Sequence, residues 1–132
     1  MFLDASAIIA MMTNETDAAE IAARLDRSKE RITSPVAVFE TAVGISRILG
    51  IKPSEGHEAV VEWLRLMNVQ SIDLPAKSVE IAVDAFERYG KRQGRPAQLN
   101  MGDCFAYACA RYQGKPLLYK GDDFTRTDIE PA

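Results

Sequence analysis

The sequence has one histidine, two cysteines and no long apolar run, and each scarcity excludes a class of protein. His57 is the only imidazole, so acid–base catalysis by two histidines is impossible within one chain. Cys104 and Cys109 point to different faces of a predicted helix, and the partners that would complete a zinc site are missing. No stretch approaches the roughly 18 apolar residues that span a bilayer, and Asp4 interrupts any signal-peptide core. We therefore expect a cytoplasmic protein with reduced thiols and no membrane contact.

The composition is that of one ordinary globular domain. The 132 residues are 47% hydrophobic and 27% charged, with a net charge of −3. A chain of this length folds without disulfide bonds and is too short for two domains of usual size, so we predict a single domain over 1–132. The slight acidic excess excludes a protein that coats nucleic acid over a broad basic face, but it allows a local contact.

Short apolar strands alternate with amphipathic helices along the chain. Strands are predicted at 1–4, 31–34, 69–74 and 116–119, with a last short strand at 127–131. Helices are predicted at 7–12, 15–27, 35–49, 53–67, 75–89 and 102–113. This alternation predicts an α/β fold, an α/β/α sandwich around a short, mostly parallel sheet. Such sheets bind their ligands outside the carboxyl ends of the strands.

Acidic residues occur where such a fold would gather them at one edge. Asp4 ends the first strand, and Ser6 is available to cap the helix that follows, so capping alone does not explain the aspartate. Asp103 begins the last helix, where the helix dipole is an alternative explanation for a carboxylate. Asp122 and Asp123 follow the strand at 116–119, and the sequence does not decide which of the two points inward.

A fourth acid, Glu40, lies on a helix that is apolar on nearly every face. Burying its carboxylate is unfavourable unless it is paired, with Arg47 or Arg111, or binds a metal, and Gly44 one turn on leaves room for something to approach. Hard carboxylate oxygens suit Mg²⁺ or Mn²⁺. Such an ion activates water and orients a phosphate, so this chain could hydrolyse a phosphodiester without a catalytic histidine.

Four segments in order resemble PIN-domain ribonucleases, and most of all the VapC toxins of bacterial toxin–antitoxin pairs. They are MFLDASAIIA at 1–10, VFETAVG at 38–44, LNMGDCFAYACA at 99–110 and LLYKGDDFTRTDI at 117–129. The resemblance covers essentially the whole chain. It implies a PIN fold that cuts RNA with Mg²⁺ or Mn²⁺, a homodimer and a VapB-type antitoxin partner. The catalytic and metal-binding residues that it implies are Asp4, Glu40, Asp103 and Asp122, which lies closer to the strand than Asp123, with Ser6 and Asp123 in support.

Positive charge is concentrated near the predicted acidic edge. The candidate RNA contacts are Arg88, Lys91, Arg92, Arg95 and Lys120, although a solvated loop at 88–95 is an equally good interpretation. Helices 15–27 and 53–67 carry wide apolar stripes that include Trp63 and Met67. We expect part of these stripes to form a groove for an amphipathic partner helix, unless both are simply core.

Two other classes of protein compete with the ribonuclease interpretation. A phosphoryl-acceptor domain of the receiver type needs an acidic pair at the first strand, where this chain has only Asp4. A binding module that keeps a PIN-like fold without catalysis is the second alternative. The retention of all four acidic positions argues against it.

Overall fold

Four short strands and six helices alternate in a computed structural model that describes all 132 residues. The elements are β1 Phe2–Leu3, α1 Ala5–Met12, α2 Ala18–Leu25, β2 Ile32–Thr33, α3 Pro35–Leu49, α4 Pro53–Leu66, β3 Gln70–Ser71, α5 Lys77–Tyr89, α6 Met101–Tyr112 and β4 Leu117–Leu118. None of the helices combines the length and apolar character needed to span a membrane.

The strands form one parallel sheet in the order β3-β2-β1-β4. The chain moves outward from β1 to β2 and β3, then returns to place β4 on the other side of β1. The direction of winding therefore reverses between β1 and β4, and clefts at such a reversal are where open α/β sheets bind ligands. This arrangement places the end of β1, followed by Asp4, next to the end of β4.

Alternation along the central strands divides the interior into two cores. Leu3 and Leu118 pack in a cluster with residues of α1 to α4, whereas Phe2 and Leu117 pack with residues of α5 and α6. Successive side chains of a strand point to opposite faces, so two apolar residues in sequence require a helical layer on each side. The predicted α/β/α sandwich is confirmed.

The six predicted helices and the first four predicted strands all form, but each of these strands is shorter than predicted, and the ends of α1, α2 and α5 differ by two or three residues. Helix α3 begins at Pro35 and ends before Gly50, whose φ of 67° is the left-handed conformation that glycine tolerates best. Helix α1 begins at Ala5 because Asp4, not Ser6, is its N-cap. The predicted strand at 127–131 is wrong, since only one bridge forms, between Leu117 and Pro131, and a proline cannot donate to a ladder.

Candidate active site

Asp4 is held at the end of β1 by the start of α1. Its Oδ2 accepts hydrogen bonds from the Ser6 backbone N–H at 3.0 Å and from the Ser6 hydroxyl at 2.5 Å. The same hydroxyl oxygen accepts from the Lys120 N–H at 3.0 Å, which ties the end of β1 to the end of β4. Asp4 is only 4% exposed. The sequence-based argument that Ser6 relieves Asp4 of capping was therefore wrong, because Asp4 is both the cap and a buried carboxylate.

Asp103 is fixed in the same way at the start of α6. Its Oδ2 accepts from the Asn100 N–H at 2.8 Å, and its own N–H donates to Asn100 Oδ1 at 2.9 Å. Asn100 was not among the residues predicted for the site, although an asparagine three residues before an aspartate at a helix start is the signal for this reciprocal capping. Each hydrogen bond that the Asp4 and Asp103 carboxylates accept is accepted by Oδ2. The Oδ1 atom of each aspartate takes no part in these bonds.

Glu40 lies half-buried on α3 without a cationic partner. It forms no ion pair with Arg47, and Arg111 is engaged at 2.5 Å by Asp128, so the alternative of a structural ion pair is wrong. Its carboxylate lies against Gly102 of α6. The space beside Gly44 is filled by the Ile9 side chain, contrary to expectation.

The acids influence one another electrostatically. Burial raises the pKa of Asp4, and it raises the pKa of Asp103 to about 6 and that of Glu40 to about 7. The charges of Asp4 and Asp103 add to the shift of Glu40, and the charge of Asp123 adds to those of Asp4 and Asp103. None of the salt bridges involves any of these acids. The buried carboxyl groups of Asp4 and Asp103 and the half-buried one of Glu40 therefore share one edge of the sheet with Asp123, and none of the four forms an ion pair.

Asp123 rather than Asp122 belongs electrostatically to this group. The charge of Asp122 is not among the causes of any of these pKa shifts. Its carbonyl oxygen accepts from the Thr125 N–H at 3.1 Å and from the Thr125 hydroxyl at 2.7 Å. The sequence-based preference for Asp122 gains no support from these contacts, so Asp123 takes its place in the proposal below.

The donor chemistry of the site fits a hard divalent cation. The available ligands are carboxylate oxygens, they are buried without a counter-charge, and a cation would relieve their mutual repulsion. No three His, Cys, Asp or Glu side chains lie close enough together to ligate one ion directly. Mg²⁺ is usually held by one or two carboxylates and several waters, so the observed spacing is compatible with that ion.

The predicted basic contacts separate into two groups. Arg88 is engaged within the fold by Asp84 at 2.7 Å and by the Tyr107 hydroxyl, and Lys120 forms ion pairs with Glu15 and Asp17. The other three predicted contacts, Lys91, Arg92 and Arg95, form no salt bridge, and all three are exposed in the loop before α6. Lys91 lowers the pKa of Asp103, so this loop borders the acidic site.

The structure thus defines a class of protein, a parallel α/β/α sandwich with carboxylates that form no salt bridge at the reversal of its sheet. The PIN domain family matches residues 1–130. The chain is 37% identical to ribonuclease VapC30 of Mycobacterium tuberculosis, over 98% of this chain and 95% of that protein. It is 34% identical to a VapC ribonuclease of Rhizobium meliloti, over 97% and 98% of the two chains. The chain therefore belongs to the PIN-domain family, among the VapC ribonucleases.

A solved structure supports the same fold. The crystal structure of VapC20 of M. tuberculosis, a toxin that cleaves the sarcin–ricin loop, superposes with a TM-score of 0.72 at 21% identity, over 99% of this chain and 97% of that one. The predicted family, the predicted fold and the predicted function of an RNA-cleaving toxin are thus confirmed. Membership of this family also excludes the receiver-type alternative.

Proposed function

We propose that the chain hydrolyses RNA phosphodiester bonds with one or more Mg²⁺ or Mn²⁺ ions held at the edge formed by Asp4, Glu40, Asp103 and Asp123. The observation that carries the proposal is that two buried carboxyl groups, of Asp4 and Asp103, and the half-buried one of Glu40 lie together and form no salt bridge. A buried carboxylate with a purely structural role is usually paired with a cation or protonated, because an isolated buried charge is unfavourable. Here the missing counter-charge is the one that a metal would supply.

The capping bonds support a proposal of different tasks for the acids. Asp4 and Asp103 are held rigidly through Oδ2, so their Oδ1 atoms suit direct binding of the ion. Glu40 is anchored by no hydrogen bond, and it suits a role in which its carboxylate accepts a hydrogen bond from the attacking water and adds negative charge beside the ion, which would strengthen metal binding. When bound, the ion lowers the pKa of that water and polarises the phosphate. Ser6 keeps Asp4 in place and ties β1 to β4.

Cleavage of a labelled single-stranded RNA, with EDTA or with added Mg²⁺ or Mn²⁺, tests this function. We expect cleavage only with metal and a loss of at least about 100-fold in Asp103→Asn, since a neutral amide is a poorer ligand for a hard cation. Asp123→Asn and Asp122→Asn form a matched pair, and only the first should lose activity. A protein that binds RNA but never cleaves it would instead be the non-catalytic module.

RNA docking is proposed for the loop that carries Lys91, Arg92 and Arg95. These cations border an acidic site, so they can hold the backbone phosphates near it although the net charge of the protein is −3. Arg88 and Lys120 are left out of this proposal because acidic neighbours already engage them. Together with two free, buried cysteines, an RNA substrate supports a cytoplasmic location.

A VapB-type antitoxin is proposed to bind the groove between α2 and α4. This groove has a volume of about 340 Å³, and its lining residues include Ala18, Ala22, Leu25, Trp63 and Met67. It lies between the two helices whose apolar stripes the sequence marked, and an apolar groove between helices is the kind of surface that an amphipathic helix binds. A basic side chain of the same partner could then reach the acids and displace the metal.

A homodimer is also proposed, on the exposed apolar face of α5 and the start of α6. Val79, Val83 and Phe86 are 40–55% exposed there, and Met101 is 71% exposed. An apolar face of this kind is unfavourable in water and is typical of a protein–protein contact.

A further inference from the structure

We propose that Gly102 is a positioning residue for the reaction, because its missing side chain creates the space in which α6 holds the Glu40 carboxylate beside Asp103. This inference rests on the function proposed above for Glu40. It adds a residue that contacts neither RNA nor metal and acts only through its neighbour.

Helix α3 approaches α6 closely at Gly102. A Cβ built on Gly102 would overlap Oε1, Oε2 and Cδ of Glu40, all closer than real Cβ atoms ever approach a neighbour. Because both oxygens and the carbon between them are affected, rotation of the carboxylate about its last bond cannot relieve the overlap. The whole side chain of Glu40 would have to move away from Asp103.

The backbone offers no other reason for a glycine here. Gly102 lies inside the first turn of α6 and does not adopt a positive φ. Glycine in a helix interior is about 0.8–1 kcal/mol less favourable than alanine, so propensity argues against it. The glycines that a left-handed conformation does explain have open space around them, and they are Gly50, Gly94, Gly114 and Gly121.

An alanine at position 102 should therefore impair function while sparing the fold. The atoms in its way belong to the far end of a flexible side chain, not to backbone, so the protein can accommodate the methyl group by swinging Glu40 outward. Displacement of a catalytic group by about 1 Å can reduce a rate by about 100-fold.

The variant Gly102→Ala is compared with Gly44→Ala, whose new Cβ would meet only the end of the Ile9 side chain at 2.7 Å. We expect kcat of Gly102→Ala to fall by about 10- to 100-fold, Mn²⁺ affinity measured by calorimetry to weaken several-fold, and the melting temperature to stay level or rise. Gly44→Ala should keep wild-type kcat and Mn²⁺ affinity. Wild-type kcat and Mn²⁺ affinity in Gly102→Ala, or an activity loss matched by a fall in melting temperature, would overturn the inference.

A double-mutant cycle tests whether Gly102 acts through Glu40. In a Glu40→Ala background the displaced carboxylate is absent, so Gly102→Ala should weaken Mn²⁺ binding no further. Equal weakening with and without Glu40 would contradict the inference. If the wild-type protein cleaves no RNA, the proposed function fails, and the Mn²⁺ affinities of these variants still decide the role of Gly102.

Discussion

Asp4 combines a helix cap and a buried charge in one side chain. Its Oδ2 caps α1, which satisfies an otherwise unpaired helix N–H, while the carboxyl group as a whole is buried next to other acids. Capping stabilises the fold, but the buried charge opposes it. Substitutions that remove one role and keep the other can therefore separate the two.

Asp4→Asn should abolish cleavage and raise the stability of the metal-free protein at pH 8. Asparagine caps helices as well as aspartate does, and it carries no charge to bury, so we expect a gain on the order of 1 kcal/mol in the free energy of unfolding. Asp4→Ala removes the cap too and should be less stable than Asp4→Asn by about 1 kcal/mol. Denaturant unfolding measures both differences. Wild-type cleavage by Asp4→Asn would contradict the role of Asp4 in the site.

The raised pKa values of Glu40 and Asp103 predict how stability depends on pH. Their pKa values are about 7 and about 6 in the folded protein, against 4.5 and 3.8 ordinarily. Between pH 4 and pH 7 the folded state therefore binds more protons than the unfolded state, so the free energy of unfolding should fall as pH rises through this window. Thermal unfolding in EDTA measures this fall, and saturating Mn²⁺ should reduce it by binding the ionised form. In EDTA, stability that rises over this window would contradict the electrostatic account.

Helix α6 and the loop before it place opposite charges side by side. The helix start holds Asp103 by mutual capping with Asn100, whereas the loop exposes three cations that no acid engages. In the proposed function, this division is what would let one segment of chain serve both the metal and the phosphate. Its two halves should respond differently to substitution.

Replacing Arg92 and Arg95 together by alanine should weaken RNA binding and flatten its salt dependence. Two lost phosphate contacts on single-stranded RNA should lower the slope of log affinity against log salt by roughly 1.4. The matched control is Arg27→Ala with Arg47→Ala, which removes two exposed arginines that also lack salt bridges. Fluorescence anisotropy over a range of salt concentrations measures both pairs. Equal slopes of log affinity against log salt in the two double variants would show that the loop is only a solvated connection and does not bind RNA.

At the scale of the whole molecule, two cores on a narrow sheet leave apolar surface uncovered. Each strand has only two residues, so the helices pack largely against neighbouring helices of their own layer, and helix faces remain exposed at α2–α4 and at α5. A chain of this length does not bury all of its apolar stripes. The uncovered faces are where partners are expected.

Ala19→Arg should prevent antitoxin binding without loss of cleavage. Ala19 is exposed and lines the groove between α2 and α4, so a buried guanidinium there should weaken the complex by at least about tenfold. Ala23→Arg is the control, because Ala23 is an exposed residue of α2 that does not line the groove. Co-purification with the product of the adjacent upstream reading frame measures binding. Equal co-purification of both variants would place the antitoxin elsewhere.

Light scattering over a wide concentration range tests the homodimer. The expected mass is twice 14.6 kDa, falling toward 14.6 kDa in Val83→Lys, which places a charge on the exposed face of α5. A mass of 14.6 kDa at every concentration would refute the dimer.

The sequence by itself determined the helices, the parallel sheet and the family, because these follow from local periodicity, capping signals and motif order. It also marked Asp4, Glu40 and Asp103 as unusual, since their neighbours along the chain are apolar. Only the tertiary structure decided which helix α3 meets, and therefore that Glu40 has no arginine partner and lies against Gly102. The same holds for the influence of the Asp123 charge on Asp4 and Asp103, and for the ion pairs of Lys120 with Glu15 and Asp17. These outcomes depend on contacts between residues far apart in the chain, which no local pattern encodes.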